Sequence, residues 1–267
     1  MALLLSDREL DRVKRRIEDS IRSSIEDTGT RGGVVALSGG VDSALVAKLA
    51  SEAIGDRLFA LILPEEGVTL PEDIEHAEQL AKELGIGYKL IKIDDVLKGF
   101  SDIYTTLHVG ERKRRQLSWA NVKPRVRMIL SYMVANLDDR VVLGTGNKTE
   151  ILLGYFTKYG DGGVDLLPIG DLYKTQVIQM ARYLDLPEEI VEKPPSAGLW
   201  QGQTDEAELG ATYEEIDDVL YCLVEGGLSP EKAASKLKIE ITLVNRIYDR
   251  MKRNEHKRRP PVITKLF

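Results

Sequence analysis

Apolar residues at positions 10, 13, 17, 21 and 25 recur every three or four places and trace one stripe of a helix. Ser6 with Glu9 supplies a capping box at its start, and Thr28-Gly29 ends it. The valine-rich run 34–37 is too short for a helix and predicts a buried strand. Ser38-Gly39-Gly40 turns the chain into a helix over 42–54. The unit then repeats: a strand at 58–63, an amphipathic helix over 71–84 stopped by Gly85, a strand at 88–93, and a helical segment after Asp94. Near Glu111 the alternation breaks into Arg112-Lys113-Arg114-Arg115, a solvated or dimer-contacting stretch. A helix over 120–137 and a fourth strand at 140–143 follow.

Residues 144–172 are rich in glycine and aspartate and lack periodicity, but Tyr155, Phe156 and Tyr159 argue against disorder. A helix is expected over 173–184, a second irregular stretch over 193–204, and helices over 213–225, 230–237 and 241–254. Strands alternating with helices imply an α/β fold, a doubly wound parallel sheet of Rossmann-like type with C-terminal helices. We divide a single domain of 267 residues into an N-terminal helix (6–27), a nucleotide-binding core (32–186), and a C-terminal loop with helices (187–267).

Composition narrows the function by exclusion. The net charge of −6 favours neither nucleic acid nor an anionic membrane, so an anionic ligand must be met by local positive charge. The apolar run at 1–5 is too short for a signal-peptide core, and no run reaches about 18 apolar residues, so no membrane span is expected. The single cysteine, Cys222, allows no disulfide within the chain and fits a reducing, cytoplasmic setting. Leu220 and Leu223 beside it indicate a packing role.

The stretch Ser38-Gly39-Gly40-Val41-Asp42-Ser43 carries the most chemistry. It joins a strand to a helix, so free first-turn amides and the helix dipole meet a backbone made approachable by two glycines. Ser38 and Ser43 add hydroxyls. A carboxylate here makes sense if a divalent cation lies between Asp42 and the phosphates, as Mg²⁺ shares oxygen ligands between the two. No lysine follows the glycines, so this is not the loop of γ-phosphate transfer. A tight serine-capped turn is the bland alternative.

The hexapeptide resembles the PP-loop of the ATP pyrophosphatases, which cleave ATP between its α- and β-phosphates. Further segments resemble the NAD synthetases within that superfamily and cover nearly the whole chain: Asn121 to Met128 (N-V-K-P-R-V-R-M), Gly144 to Glu150 (G-T-G-N-K-T-E), Gly154 to Gly163 (G-Y-F-T-K-Y-G-D-G-G), Asp165, Lys174, Lys193 to Ala197 (K-P-P-S-A), and His256-Lys257. The resemblance implies an adenine-nucleotide α-hydrolase-like fold and a two-step reaction. The nicotinate carboxylate of deamido-NAD attacks the α-phosphate of ATP and releases pyrophosphate; ammonia then displaces AMP.

By the same resemblance Ser38, Gly39, Gly40, Val41, Asp42, Ser43, Thr145, Lys174 and Ser196 bind ATP or pyrophosphate, and Asp42 and Glu150 hold Mg²⁺. Arg125, Lys158, Asp165, His256 and Lys257 bind deamido-NAD. Asp161 and Lys174 are the catalytic candidates, Asp161 orienting ammonium or taking its proton. A homodimer with sites near the subunit interface is implied as well. Free ammonia is the expected nitrogen donor, because glutamine-using enzymes carry an additional amidase domain.

Pro124, Val41 and Ser196 stand where the family often has alanine, glutamine and threonine, and none of these removes a charge or the Ser196 hydroxyl. Gln201-Gly202-Gln203 suggests no role. His108 is assigned nothing. Glu150 is otherwise a solvated acid at a helix start, Lys158 and Lys174 ordinary surface lysines, and Arg125 and Arg127 partners of acidic neighbours on a helix. A purine-amidating or tRNA-modifying PP-loop enzyme and a non-catalytic nucleotide-binding regulator are the competing classes.

Overall fold

The structure is a computed structural model that describes residues 3–107, 111–200 and 202–266. His108 and Gln201 lie outside them. The elements run α1 (Asp7–Thr28), β1 (Gly32–Ala36), α2 (Val41–Ile54), β2 (Leu58–Ile62), α3 (Pro71–Glu83), β3 (Gly87–Leu90), α4 (Asp94–Thr106), α5 (Arg112–Ala120), α6 (Val122–Asp138) and β4 (Arg140–Leu143). Then come α7 (Lys148–Leu153), α8 (Lys174–Tyr183), α9 (Glu188–Val191), α10 (Asp205–Leu209), α11 (Tyr213–Val224), α12 (Pro230–Leu237) and α13 (Ile241–Arg253).

The sheet is parallel with order β3-β2-β1-β4, Val34 lying level with Phe59 on one side and Val142 on the other. Successive side chains of a strand face opposite ways, and both faces are covered. Val35 joins the cluster formed with α1, α2 and α8, including Ile21, Leu45 and Val177. Val34 joins the opposite cluster, with Leu97 of α4 and Val126 of α6. Because both valines are fully buried, β1 reads as a continuous apolar run rather than an alternating one. A third cluster packs α11, α12 and α13 together and against Leu153 and Tyr173, with Cys222 buried inside it.

Three expectations are corrected. The break near Glu111 is a helix, α5; its cationic residues present no apolar period to read. The strand placed at 88–93 ends at Leu90 at the sheet edge, and Ile93 instead packs under α4. The irregular stretch 144–172 contains α7, a short helix announced by its capping box: Glu150 N–H donates to Asn147 Oδ1 (3.0 Å) and Asn147 N–H to Glu150 Oε2 (3.1 Å). Among the described residues no helix is long and apolar enough to cross a membrane.

Candidate active site

From β1 the chain crosses to β2, whereas β4 docks on the other side of β1. Connections therefore diverge beyond the carboxyl ends of β1 and β4, and a crevice opens there. The turn after β1 lines it. Gly39 has φ +80°, and a Cβ on it would lie 2.5 Å from the Asp73 carbonyl oxygen, so only glycine fits without displacing α3. Ser43 ties the turn together: its Oγ accepts from Ser38 N–H at 3.1 Å, donates to the Gly40 carbonyl at 2.9 Å and lies 3.0 Å from Ser38 Oγ. Gly40 is the N-cap of α2, and Val41 and Asp42 form the helix's first turn.

Opposite this turn stands a charged cluster drawn from distant parts of the chain. Lys174, 2% exposed, ion-pairs with Asp42, whose other carboxylate oxygen accepts from Asn147 Nδ2 at 2.9 Å. Burial opposes the Lys174 charge, but Asp42 and Glu150 beside it hold the ammonium above the ordinary lysine range. Burial, with the like charge of Asp42, pushes the Glu150 carboxyl well above its usual value. A cation between two such carboxylates would relieve that repulsion, and this is the donor set Asp42 and Glu150 offer. Two carboxylates leave most of such a cation's shell open, and phosphate oxygens and water would complete it.

Asp205 is a third acid of this cluster, with its carboxyl raised by burial. It accepts from Tyr213 OH (2.8 Å), Tyr155 OH (3.0 Å) and Ala197 N–H (2.9 Å). The last bond draws Ala197 and its neighbours in the 193–200 loop towards the crevice. Buried Lys123 draws in the same loop by donating to the Leu199 carbonyl at 2.6 Å while pairing with Glu65 at 2.8 Å. Lys193 pairs with Asp73, next to Gly39. Ser196 is exposed on this loop, and its Oγ accepts from Gly198 N–H. Thr145 lies just past β4 and is half-buried.

The candidates for the second substrate gather around residues 154–163. Thr157 N–H donates to Asp161 at 2.9 Å. The Asp161 residue keeps solvent access, yet protein crowds its carboxyl and raises it. Arg127 lies near Asp161, is held below its usual range by burial, and donates Nε to the Leu63 carbonyl. Arg125 donates to the Lys158 carbonyl, and Lys158 to the carbonyls of His256 and Arg259. Lys257 donates to the carbonyls of Gly154 (2.6 Å) and Phe156 (2.8 Å); burial lowers its ammonium. The His256 ring contacts the Arg253 carbonyl at 3.0 Å. Lys158, His256, Arg253 and Arg259 border a basic hollow of about 390 Å³. Asp165 is committed elsewhere, accepting from Tyr132 OH (2.8 Å) and Val142 N–H (2.7 Å).

The structure thus joins the PP-loop-like turn with Lys174 and Glu150, and joins Arg125, Lys158, His256 and Lys257 around 154–163. It leaves Asp165 apart from both groups. Asp205 and Glu65 join the site from outside the family-like segments, whereas Asn147 and Lys123 lie inside them without an assigned role. Asn147 alone carries a local signal, as the N-cap preceding Glu150.

A glycine-serine turn at the end of a central parallel strand, facing a buried lysine and two carboxylates, defines a nucleotide-binding α/β protein of the PP-loop, Rossmann-like class. Residues 13–261 match the family model described as NAD synthase, and the chain belongs to that family. It is 46% identical over 257 residues to the NH3-dependent NAD(+) synthetase of Archaeoglobus fulgidus, covering 96% of this chain and 97% of that one. Its fold is similar to the solved NMN synthetase of Francisella tularensis (TM-score 0.83, 35% identity, covering 99% of this chain and 100% of that one). It is also similar to the solved NH3-dependent NAD synthetase of Campylobacter jejuni (TM-score 0.79, 30% identity, covering 96% and 99%).

Proposed function

We propose that the chain amidates deamido-NAD with ammonia at the expense of ATP, forming NAD, AMP and pyrophosphate as the last step of NAD synthesis. The observation that carries this is Lys174: a fully buried ammonium paired with Asp42 at the mouth of a glycine-serine turn. Such a charge is worth burying where it meets polyphosphate.

A carboxylate does not expel oxide, so one oxygen must first become a phosphate leaving group. The nicotinate oxygen attacks the α-phosphorus, and the bond to the bridging oxygen breaks with its electrons going to pyrophosphate. First-turn amides of α2, the Ser38 hydroxyl and Lys174 stabilise the charge that gathers there, while Ser43 holds the turn in shape. Thr145 and Ser196 contact the rest of ATP. A divalent cation, which we take to be Mg²⁺, supplies Lewis acidity at the phosphates when bound by Asp42 and Glu150. Arg125, Lys158, His256 and Lys257 hold deamido-NAD. Ammonia then forms the C–N bond as AMP leaves. Asp161 orients ammonium or accepts its proton, and its raised carboxyl suits a base working nearer neutrality.

We further propose a cytoplasmic homodimer. The support is an exposed apolar stripe on α6, Ile129, Met133 and Leu137, spaced by four, with Phe100 and Ile103 exposed on the adjoining α4.

The test combines purified protein, ATP, Mg²⁺, deamido-NAD and ammonium, omitting one at a time and following AMP and NAD. NAD formation that needs every component is the expected result; AMP formed only with a purine acceptor would overturn the assignment. The likeness to the Francisella tularensis structure favours a second reading, amidation of the mononucleotide acid. Competition between nicotinate mononucleotide and deamido-NAD decides between them.

A further inference from the structure

Lys174 is the first helical residue of α8. A cation fits poorly there, where the peptide dipoles align their positive end and the amides lack helical partners. The preceding Tyr173 does not relieve this, since its hydroxyl is directed to Glu225 at 3.2 Å. The acceptors come from two other helices. Thr149 Oγ on α7 accepts from Lys174 N–H at 2.9 Å and donates its own proton to Asp217 at 2.5 Å. Asp217 reaches in from α11, and its second oxygen accepts both the N–H and the hydroxyl of Thr175, each at 2.9 Å. Thr149 and Asp217 are both fully buried. A hydroxyl has one proton, so with Asp217 taking it, Thr149 must turn a lone pair toward Lys174 N–H.

We infer that Asp217 is a positioning residue for the reaction. Acting through Thr149 and Thr175, it fixes the start of α8 and so the line along which Lys174 reaches Asp42. Its negative charge also offsets the unfavourable placement of a lysine at that helix terminus. Because Thr149 is bonded to Glu150 in sequence, the same relay holds the second carboxylate of the cluster. The C-terminal helices thereby set the geometry of a site formed on the sheet. This rests on the role proposed above for Lys174 at the phosphates of ATP.

The test uses full-length Asp217→Asn and Thr149→Val, studied well below their melting temperatures. Asparagine keeps the volume but presents an N–H₂ to one set of donors, and valine removes the middle of the relay. Both variants should lose kcat by about tenfold or more, as a displacement near 1 Å can bring. Both should bind ATP more weakly in calorimetry while the KM for deamido-NAD stays within about twofold. Thr149→Ser should recover most of what Thr149→Val loses, and the double variant should be no worse than the more impaired single one. A folded Asp217→Asn protein with unchanged kcat and ATP affinity overturns the inference, even if its melting temperature falls. Should Asp217→Asn not fold, Thr149→Val decides by the same readouts. The ATP titration needs no acceptor, so a wild type inactive on deamido-NAD sinks the proposed reaction without touching the relay.

Discussion

Lys174 and Asp42, 132 positions apart, meet as an ion pair at the junction of α8 with the turn after β1, and Asn147 holds the other Asp42 oxygen in place. Removing one partner of a buried pair strands the other charge, which costs about 3 kcal/mol or more. Asp42→Ala should therefore lower unfolding stability by that amount and turnover by on the order of 10²–10³. Asp42→Ala combined with Lys174→Met should regain most of the stability and none of the activity. Chemical denaturation alongside NAD formation separates the two effects. Equal stability loss in single and double variants would show that the pair is not what Asp42 contributes to the fold.

Gly39 and Gly67 both have positive φ, but only Gly39 has backbone against the place of a Cβ. Each alanine substitution carries left-handed strain of about 1 kcal/mol or more. Gly39→Ala must also push away the Asp73 carbonyl and distort the turn that we assign to pyrophosphate. It should bind ATP at least about tenfold more weakly, an effect of the size expected from lost positioning. Gly67→Ala should keep its ATP affinity, and calorimetry on the two proteins checks the contrast.

Burial pushes Asp217 from its ordinary 3.8 up to about 6. The folded chain thus keeps a proton that the unfolded chain has released between those values. This contribution favours folding at the acid end and is lost as pH climbs from about 4 to about 6. The Asp217→Asn variant has no carboxyl to titrate at that position. The melting-temperature advantage of wild type over Asp217→Asn should shrink across that window and be level outside it. Thermal melts at half-unit steps check the slope, and an advantage growing with pH would contradict it.

Met133 stands 53% exposed in the middle of the α6 stripe. Met133→Glu places a charge at the centre of the proposed subunit contact. Sedimentation should find wild type as a dimer and the variant as a monomer of unchanged circular dichroism. A monomeric wild type would remove the contact.

The parallel sheet is legible in the sequence because Val34, Val35 and their counterparts in β2 and β4 form short apolar runs that no helix period explains. The phosphate turn is legible because glycine and serine at a strand-helix junction have few other uses. α5 is hidden for the opposite reason, its cations leaving no pattern. Asp205 and Asp217 are invisible for a physical cause: an acid on a helix in the sequence is ordinarily solvated, and nothing local says that Tyr213, Tyr155 or Thr149 will close over it. The pairing of Lys123 escapes notice likewise, since its partner Glu65 comes from a loop 58 residues earlier. The nucleotide loop is a local arrangement, whereas the buried charges that hold its neighbours are long-range ones.

Lys257 satisfies the carbonyls of Gly154 and Phe156, and Lys158 those of His256 and Arg259. These backbone groups have no strand to pair with, so side chains made about a hundred residues apart must find each other. During synthesis, at about 5–20 residues per second, the sheet and its phosphate turn can assemble early. The hollow bordered by Lys158 and His256 cannot close until residues 256–259 have left the ribosome, about a hundred residues after Lys158, and the growing chain holds half a site for several seconds before it holds a whole one.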